Sequence, residues 1–245
     1  MEVHHPHHAA HTKKWTAYVL EFLMLFLAVF LGFVAENIRE HAVEKTRAKE
    51  LLKSFVVDLK KDTSELNQLQ NFRKNYRRPR LDSFYAILNT PPEKVERAVF
   101  FRLLKRIGGL RMFSQSTGTL NQLKNAGYLR YFSDPQLLNH ISDYDDIMQD
   151  FKADENIEMH IQYDELMFLL KRNIDNHDAY STYIEGRVLS GQGIKPFKPD
   201  VLENIKSVLI DVMSHNQVVM TIQNETVKAK ATEILNYLRD TYKVE

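Results

Sequence analysis

The most hydrophobic part of the chain lies near its N-terminus, between Trp15 and Ala35. No polar side chain occurs from Phe22 to Ala35, and the whole stretch has the roughly 20 residues that a helix needs to cross a hydrocarbon core. Trp15 and Tyr18 stand where aromatic residues favour the membrane interface. A cleaved signal peptide is the alternative, but charged residues follow the run instead of a small-residue cleavage site. The pattern predicts a retained transmembrane helix over residues 15–35.

Successive residues of a helix are about 100° apart, which divides the predicted span into two faces. One face carries the aromatic residues Phe22, Phe26, Phe30 and Phe33. The other carries Glu21, Leu25, Ala28, Gly32 and Ala35. Ala28 and Gly32 form a small-xxx-small pattern, which lets two helices approach closely, so we expect the chain to self-associate through this face.

Glu21 is the one carboxylate in the predicted span. An ionised carboxylate in hydrocarbon is costly, so such residues usually face protein or water. Three interpretations stay open for Glu21. It pairs with Lys14 or a neighbouring chain, it lines a path for protons or ions, or it reaches the headgroups, which lie about 9 Å away along the axis at 1.5 Å per residue.

Beyond the span, hydrophobic residues recur at intervals of three or four, which predicts helices. Residues 36–72 contain no glycine or proline and are predicted to form a stalk helix. Asp62 interrupts its apolar seam, which is compatible with a coiled coil or with an amphipathic helix of a bundle. Residues 73–245 are predicted to form a helical bundle domain that packs with the stalk. The seam consists of Leu52, Phe55, Leu59, Leu66 and Leu69.

Prolines, glycines and capping residues divide the bundle domain. We expect a turn at Pro79 and a helix over 81–88. The next helix is expected to run from Thr90–Pro92 to Gly108, with an apolar stripe that consists of Val95, Val99, Leu103 and Ile107. Residues 135–173 are expected to form one bent helix or two, and separate helices are expected over 200–213 and 218–242.

Two finer predictions concern residues 113–173. Thr119–Gln122 has the pattern of a capping box, Gly127 is expected to end that helix, and Ser133 or Asp134 to cap the next one. The stripe of the next helix is expected to change phase near Asp154–Asn156. It runs through Leu137, Ile141, Tyr144, Met148 and Phe151, and resumes with Ile157, Ile161 and Leu169.

Composition narrows the class of protein. The 33 lysines and arginines nearly balance the 32 aspartates and glutamates, which argues against a nucleic-acid-binding protein. Only 8 glycines and 7 prolines occur, and this scarcity of helix breakers favours an all-α fold. Because there is no cysteine, disulfides and thiol chemistry are excluded.

One basic cluster interrupts this even charge distribution. Three hypotheses concern it: contact with anionic lipid or an acidic partner, a solvated turn between helices, or docking of its Arg77–Arg80 part against the acidic face of the helix that follows Pro135. That acidic face includes Glu155 and Glu158. The basic cluster consists of Arg73, Lys74, Arg77, Arg78 and Arg80.

The sequence shows no catalytic motif, so we expect neither an enzyme nor a cofactor. The N-terminal residues 1–14 form a histidine-rich tail that we expect to be flexible and to bind metal only adventitiously. His160 and Asp164, four residues apart on a helix, are expected to form a surface hydrogen bond. The tail histidines are His4, His5, His7, His8 and His11.

The segment Phe113–Tyr144, FSQSTGTLNQLKNAGYLRYFSDPQLLNHISDY, resembles the S-T-x-T-y-x-x-L-k-x-x-G-n-L-r pattern of a family of uncharacterised single-pass membrane proteins common in Bacteroidota. Glu21 and Asn37 match the polar positions that flank the span of that family. The histidine tail and Glu36–Arg39 depart from its pattern. The resemblance implies a membrane location and a helical outline, and it implies no catalytic residue.

These observations lead to one functional hypothesis and two alternatives. The short leader with Lys13 and Lys14 favours a cytoplasmic N-terminus, with the helical body in the periplasm, at a bacterial inner membrane. We expect a scaffold or accessory subunit that contacts membrane lipid, forms a homo-oligomer through its span and binds protein partners, but not nucleic acid, through its body. The alternatives are a proton- or ion-conducting oligomer that uses Glu21, and a ligand-sensing bundle coupled to a signalling partner.

Overall fold

The structure, a computed structural model, describes residues 15–125, 127–132 and 134–244. It confirms the predicted all-α fold, with a long N-terminal helix followed by a helical bundle. The five tail histidines and Ser133, a candidate cap, lie outside the described residues. The α-helices are α1 (Trp15–Phe72), α2 (Arg78–Leu88), α3 (Arg97–Ile107), α4 (Gly118–Asn125), α5 (Pro135–His160), α6 (Met167–Asn173), α7 (Asn176–Tyr183), α8 (Pro199–Val218) and α9 (Asn224–Tyr242).

Three π-helical turns join pairs of these helices into longer stretches: Arg73–Arg77 between α1 and α2, Ile161–Leu166 between α5 and α6, and Val219–Gln223 between α8 and α9. The expected turn at Pro79 is therefore wrong, because the helix continues from Trp15 to Leu88. Proline lacks an N–H group and its ring crowds the carbonyl four residues earlier. The wider π turn immediately before Pro79 accommodates this ring within a continuous helix.

The continuous helical stretches across the π turns also bear on two other predictions. Residues 135–173 form one continuous helical stretch, which decides between the two alternatives for this segment. The separate helices expected over 200–213 and 218–242 are wrong, since the helix runs without a break through residues 214–217. Asn216, which lies between the two predicted helices, is completely buried.

The described chain divides into two compact units, one ending at Glu50 and the other extending from Leu51 onwards. The predicted seam Leu52–Leu69 lies in the second unit and is buried there, together with Asp62. The Phe55 ring meets the Tyr144 ring of α5 edge-on, with centroids 6.3 Å apart. The Asn224 side chain at the start of α9 donates to the Leu66 carbonyl at 3.0 Å. This seam therefore belongs to an amphipathic helix of the bundle.

The predicted stripe of α5 from Leu137 to Phe151 is confirmed as buried. The phase change expected after it is wrong, because Ile157 is 46% exposed. The buried seam instead continues at the same spacing through polar side chains and then returns to leucine. Its continuation consists of Glu155, Glu158, Gln162, Leu166 and Leu170.

Helix α3 begins five residues later than expected, at Arg97. Val95 and Glu96 are extended. This segment pairs with the loop around Gly191: the Arg97 N–H donates to the Gly191 carbonyl at 3.2 Å, and the Gly193 N–H donates to the Val95 carbonyl at 2.8 Å. The buried face of α3 is therefore rotated away from the predicted stripe, in which Val99 and Leu103 are only half-buried. It consists of Phe100, Phe101, Leu104 and Ile107.

The predicted helix ends differ in their outcome. Helix α4 begins at Gly118, with the Asn121 N–H bonded to the Thr117 carbonyl, so the capping box expected at Thr119 is wrong. Gly127 adopts a φ of 68°, a left-handed conformation that suits glycine after a helix end. Asp134 caps α5 as predicted and accepts hydrogen bonds from the Gln136 and Leu137 N–H groups at 3.0 and 3.3 Å.

The cap also joins α5 to the end of α9. The Tyr237 and Tyr242 hydroxyls donate to the second carboxylate oxygen of Asp134 at 2.6 and 2.8 Å. The hydrogen bond from Tyr237, followed by those from Tyr242 and the two N–H groups, holds the pKa of Asp134 below its usual range.

We predict that Asp134→Ala lowers the free energy of unfolding by about 1–2 kcal/mol at neutral pH, the usual cost of a lost N-cap. Because the folded-state pKa is lowered, the contribution of Asp134 is present above its unfolded pKa of about 3.9 and is lost as the pH falls further. Thermal unfolding should show a difference between the two proteins that shrinks in acid. Asp146→Ala, at an exposed position of α5, is the control. A difference that is equal at neutral and acidic pH would contradict the prediction.

Candidate functional site

The five residues of the predicted packing face lie along one side of α1. Glu21, Leu25, Ala28 and Gly32 are exposed there, as is the opposite aromatic face. Phe22 stacks on Phe26, and Phe26 on Phe30, with centroids 6.4 and 6.0 Å apart. The most apolar window of this helix is long and apolar enough to cross a membrane, and none of it is buried inside the structure. A β-carbon added at Gly32 would meet no atom within 4 Å.

The predicted basic cluster separates into two groups. Arg73 and Arg77 are buried, so the hypothesis that they contact an anionic surface is wrong. They occupy the positions at which the seam of α1 continues after Leu69, where a spacing of three or four turns a side chain towards the core. The other three residues lie nearer the surface: Lys74 is exposed, Arg78 pairs with Asp82 at 2.9 Å, and Arg80 stacks on Tyr76.

Arg73 and Arg77 meet the two glutamates in the polar part of the α5 seam. The Arg73 guanidinium is 2.5 Å from Glu158 and 3.3 Å from Glu155, and the Arg77 guanidinium is 3.1 Å from Glu158. All four side chains are at most 2% exposed. The docking hypothesis is thus confirmed for Arg77 and extends to Arg73. We call these four residues the buried Arg–Glu cluster.

Two amides complete the surroundings of the buried Arg–Glu cluster. Gln162 accepts a hydrogen bond from Arg77 at 2.9 Å, and Asn216 accepts one from Arg73 at 3.5 Å. Neither amide nitrogen has a hydrogen-bond partner among the residues that the structure describes. Neither residue was predicted from the sequence, although each occupies a seam position of its helix. Their spacing of three or four residues from buried neighbours is the signal that could have identified them.

The π turns lie at the level of the buried Arg–Glu cluster. Arg73 and Arg77 are the first and last residues of one turn, Gln162 belongs to the second, and Asn216 precedes the third by three residues. A π turn inserts one residue into the helix and shifts the side chains that follow it around the axis. These turns therefore set which side chains face the cluster and which return to the apolar core.

Buried carboxylates also hold the non-helical segment between α3 and α4. Glu155 accepts from the Phe113 N–H at 3.0 and 3.1 Å, and Asp62 accepts from the Ser116 N–H at 3.0 Å. Asp62 also accepts from the Tyr144 hydroxyl at 3.3 Å. At the start of the segment, Arg77 donates to the Gly109 carbonyl at 2.9 Å. Side chains of the bundle thus satisfy backbone groups that have no helical partner.

Burial dominates the electrostatics of these groups. It raises the pKa of Asp62 and of Glu155, against the opposing effect of the N–H groups that each carboxylate accepts. It lowers the pKa of Arg77, which the nearby Glu158 counteracts. The two positive and two negative charges of the buried Arg–Glu cluster balance each other, and their contacts are internal. This arrangement suits a structural role better than the binding of an external ion.

The histidine predictions have a simple outcome. His160 Nδ1 lies 2.7 Å from an Asp164 carboxylate oxygen at the surface, which confirms the expected hydrogen bond. Within the described ranges, no three histidine, aspartate or glutamate side chains are grouped so that they could hold a metal ion.

Comparisons with protein-family models, with curated proteins and with solved structures find no match to this chain. The resemblance of Phe113–Tyr144 to a family of single-pass membrane proteins therefore stays a prediction.

We predict that Arg73→Met costs about 3–5 kcal/mol of unfolding free energy, because it leaves a buried carboxylate without its partner. The double variant Arg73→Met/Glu155→Gln should recover at least about 1 kcal/mol of this loss, since it restores the charge balance and keeps an acceptor for the Phe113 N–H. Chemical denaturation of the full chain in a neutral detergent measures both values.

Lys74→Met is the matched control for this pair, because Lys74 is the exposed neighbour of Arg73. It should change the free energy of unfolding by no more than about 0.5 kcal/mol. If Arg73→Met proved as mild as Lys74→Met, the ion pairs would not stabilise the bundle as described.

Asp62→Asn generates a prediction about pH. The raised pKa of Asp62 means that folding favours its protonated form, so the contribution of Asp62 to stability falls as the pH rises through the folded-state pKa. The asparagine keeps an acceptor for the Ser116 N–H and carries no charge. We expect the melting temperature of Asp62→Asn, relative to the parent chain, to be higher at about pH 8 than at about pH 4. Asp146→Asn should show no such trend, and a flat difference for Asp62→Asn would refute the assignment.

Proposed function

We propose that the protein is a single-pass membrane scaffold or accessory subunit whose span self-associates and whose helical bundle binds other proteins. The observation that carries this proposal is the exposure of the apolar stretch of α1. Leu20, Phe22, Met24 and Val29 are between 60 and 69% exposed, and the large apolar residues around them on both faces are exposed as well. A contiguous apolar surface of this extent is typical of contact with a membrane or with another protein.

The span supports both parts of the anchoring hypothesis. Its aromatic face suits lipid tails, and its opposite face brings Ala28 and Gly32 to the surface, where small side chains permit close helix packing. Glu21 lies on that same face, and a neighbouring copy would remove it from hydrocarbon. The residues preceding the span carry Lys13 and Lys14, which favours a cytoplasmic N-terminus and a periplasmic bundle at a bacterial inner membrane.

The bundle supports a binding role more than a catalytic one. Its buried charges are used in internal pairs and in holding the segment that includes Phe113 and Ser116. That rigid arrangement favours a body whose outer surfaces contact partners. The proton- or ion-conducting oligomer is the rival function, and it assigns a different role to Glu21.

We predict that crosslinking in the native membrane, followed by mass analysis, captures a homo-oligomer together with partner proteins. Gly32→Leu should lower the crosslinked homo-oligomer by about fivefold, because a larger side chain separates the packed helices. Phe30→Leu on the aromatic face is the matched control and should have little effect. A chain that stays monomeric and crosslinks to nothing would overturn the scaffold proposal.

Glu21→Gln separates the scaffold from the rival function. The scaffold proposal expects oligomer and partner yields to change together, with no ion flux in reconstituted vesicles. Flux that is present in the parent chain and abolished by Glu21→Gln, with assembly intact, would favour the conducting oligomer instead.

A further inference from the structure

A cavity of about 550 Å³ lies between α3 and the segment that follows α7. This volume falls within the range of small-molecule sites, about 300–1,000 Å³. Its lining combines one apolar wall, formed by Ala98, Val188 and Leu189, with a group of polar and charged side chains. The cavity lies within the bundle unit and is separate from the buried Arg–Glu cluster.

Among the residues that the structure describes, four positive side chains line this cavity and no carboxylate does. Arg102, Lys105 and Arg106 follow one another at helical spacing, so they share one face of α3. None of the three has a hydrogen bond or an ion pair with any residue in the part of the chain that the structure describes. The fourth, Arg187, comes from the segment after α7 and faces the cavity with them.

The backbone of Arg187 is fixed by the end of α7. Gly186 adopts a φ of 67°, a left-handed conformation, and the Arg187 N–H then donates to the Ser181 carbonyl at 2.9 Å. A Glu185 carboxylate oxygen lies 3.0 Å from Arg187 Nε as an ion pair, and the two terminal nitrogens of the guanidinium stay available for another acceptor. The nearest carboxylate therefore neutralises only one of the four charges.

A buried hydroxyl lies in the same lining. Thr182 Oγ1 is buried and has no hydrogen-bond partner among the described residues. An unsatisfied buried hydroxyl costs about 1–3 kcal/mol, so native proteins usually provide it with a partner. In this conformation the hydroxyl oxygen is closed to solvent, so a ligand oxygen in the cavity becomes such a partner when the Thr182 side chain rotates.

The helix dipole accounts for only part of this arrangement. Lys105 and Arg106 belong to the last turn of α3, where positive side chains interact favourably with the helix C-terminus. That effect does not explain Arg102, which lies earlier in the helix, or Arg187, which belongs to another segment. It also leaves the Thr182 hydroxyl without a role.

We propose that this cavity binds a phosphate-bearing ligand with at least two negative charges. Arginine guanidinium groups contact phosphate oxygens in pairs, which suits Arg102, Arg106 and Arg187, and the Thr182 hydroxyl donates to the same group. An apolar portion of the ligand packs against Leu189. The phosphate belongs either to a soluble molecule or to a lipid headgroup, and the two sources share the same contacts.

The test uses the full chain in a neutral maltoside detergent, titrated calorimetrically with inorganic pyrophosphate at constant ionic strength. We expect saturable binding to one site per chain and a rise in melting temperature followed by far-UV circular dichroism. Arg102→Gln/Arg106→Gln should raise the Kd by about tenfold or more. Thr182→Val should raise it by about threefold or more while leaving the melting temperature without ligand unchanged or higher, because a methyl group replaces an unsatisfied hydroxyl.

Lys61→Gln/Lys74→Gln is the matched control, because it removes two exposed positive charges elsewhere on the bundle unit. Its Kd should stay within about twofold of the parent value. An equal loss of affinity in the control and in Arg102→Gln/Arg106→Gln would mean non-specific attraction and would overturn the proposal.

A second arm identifies the source of the phosphate. The chain is placed in bilayer discs of phosphatidylcholine alone or of equal parts phosphatidylcholine and phosphatidylglycerol. If the phosphatidylglycerol discs raise the melting temperature and suppress pyrophosphate binding, and Arg102→Gln/Arg106→Gln abolishes both effects, the ligand is a headgroup. If the phosphatidylglycerol discs neither raise the melting temperature nor suppress pyrophosphate binding, and pyrophosphate binds, the ligand is soluble. Failure of both pyrophosphate and phosphatidylglycerol to act through Arg102 and Arg106 refutes the site.

Discussion

Arg73 lies in the interior of the bundle, where its guanidinium contacts the carboxylates of Glu155 and Glu158. Arg77 joins Glu158 from the next turn of the same helix. Removing four charges from water is costly, and only good geometry and complete charge balance offset that cost. Because Arg73 requires two carboxylates on α5 at one level, the pairing fixes the register of α1 against α5.

The same interactions determine the path of the chain between α3 and α4. Glu155 accepts hydrogen bonds from both Arg73 and the Phe113 N–H, and Asp62 accepts one from the Ser116 N–H. Charged side chains of the bundle thus hold this segment at backbone groups that have no helical partner. A substitution at Arg73 would affect the segment between α3 and α4 through Glu155, because Glu155 contacts both the core and the backbone of this segment.

The surfaces proposed to contact other molecules are those that this internal pairing leaves unused. In the part of the chain that the structure describes, Arg102, Lys105 and Arg106 have no partners at the cavity beside α3, whereas Arg73 and Arg77 pair with glutamates in the core. The large apolar residues between positions 15 and 33 remain exposed, whereas the leucines of the seam in the same helix are buried. Charged and apolar side chains thus indicate interaction sites only where they are not already engaged in contacts within the chain.

The sequence by itself determined the all-α class, the apolar N-terminal stretch with its two faces, the apolar seams from Leu52 to Leu69 and from Leu137 to Phe151, and the cap at Asp134, because each depends on local spacing. Tertiary structure alone decided that the seam of α5 continues through Glu155, Glu158 and Gln162. The local sequence around a polar residue at a seam position does not show whether its side chain will face solvent or a buried partner. Gln162, for example, bonds to Arg77, which lies 85 residues away in the chain. The same holds for Pro79, which lies within a continuous helix, next to a π turn whose two arginines, Arg73 and Arg77, meet glutamates of α5 inside the bundle.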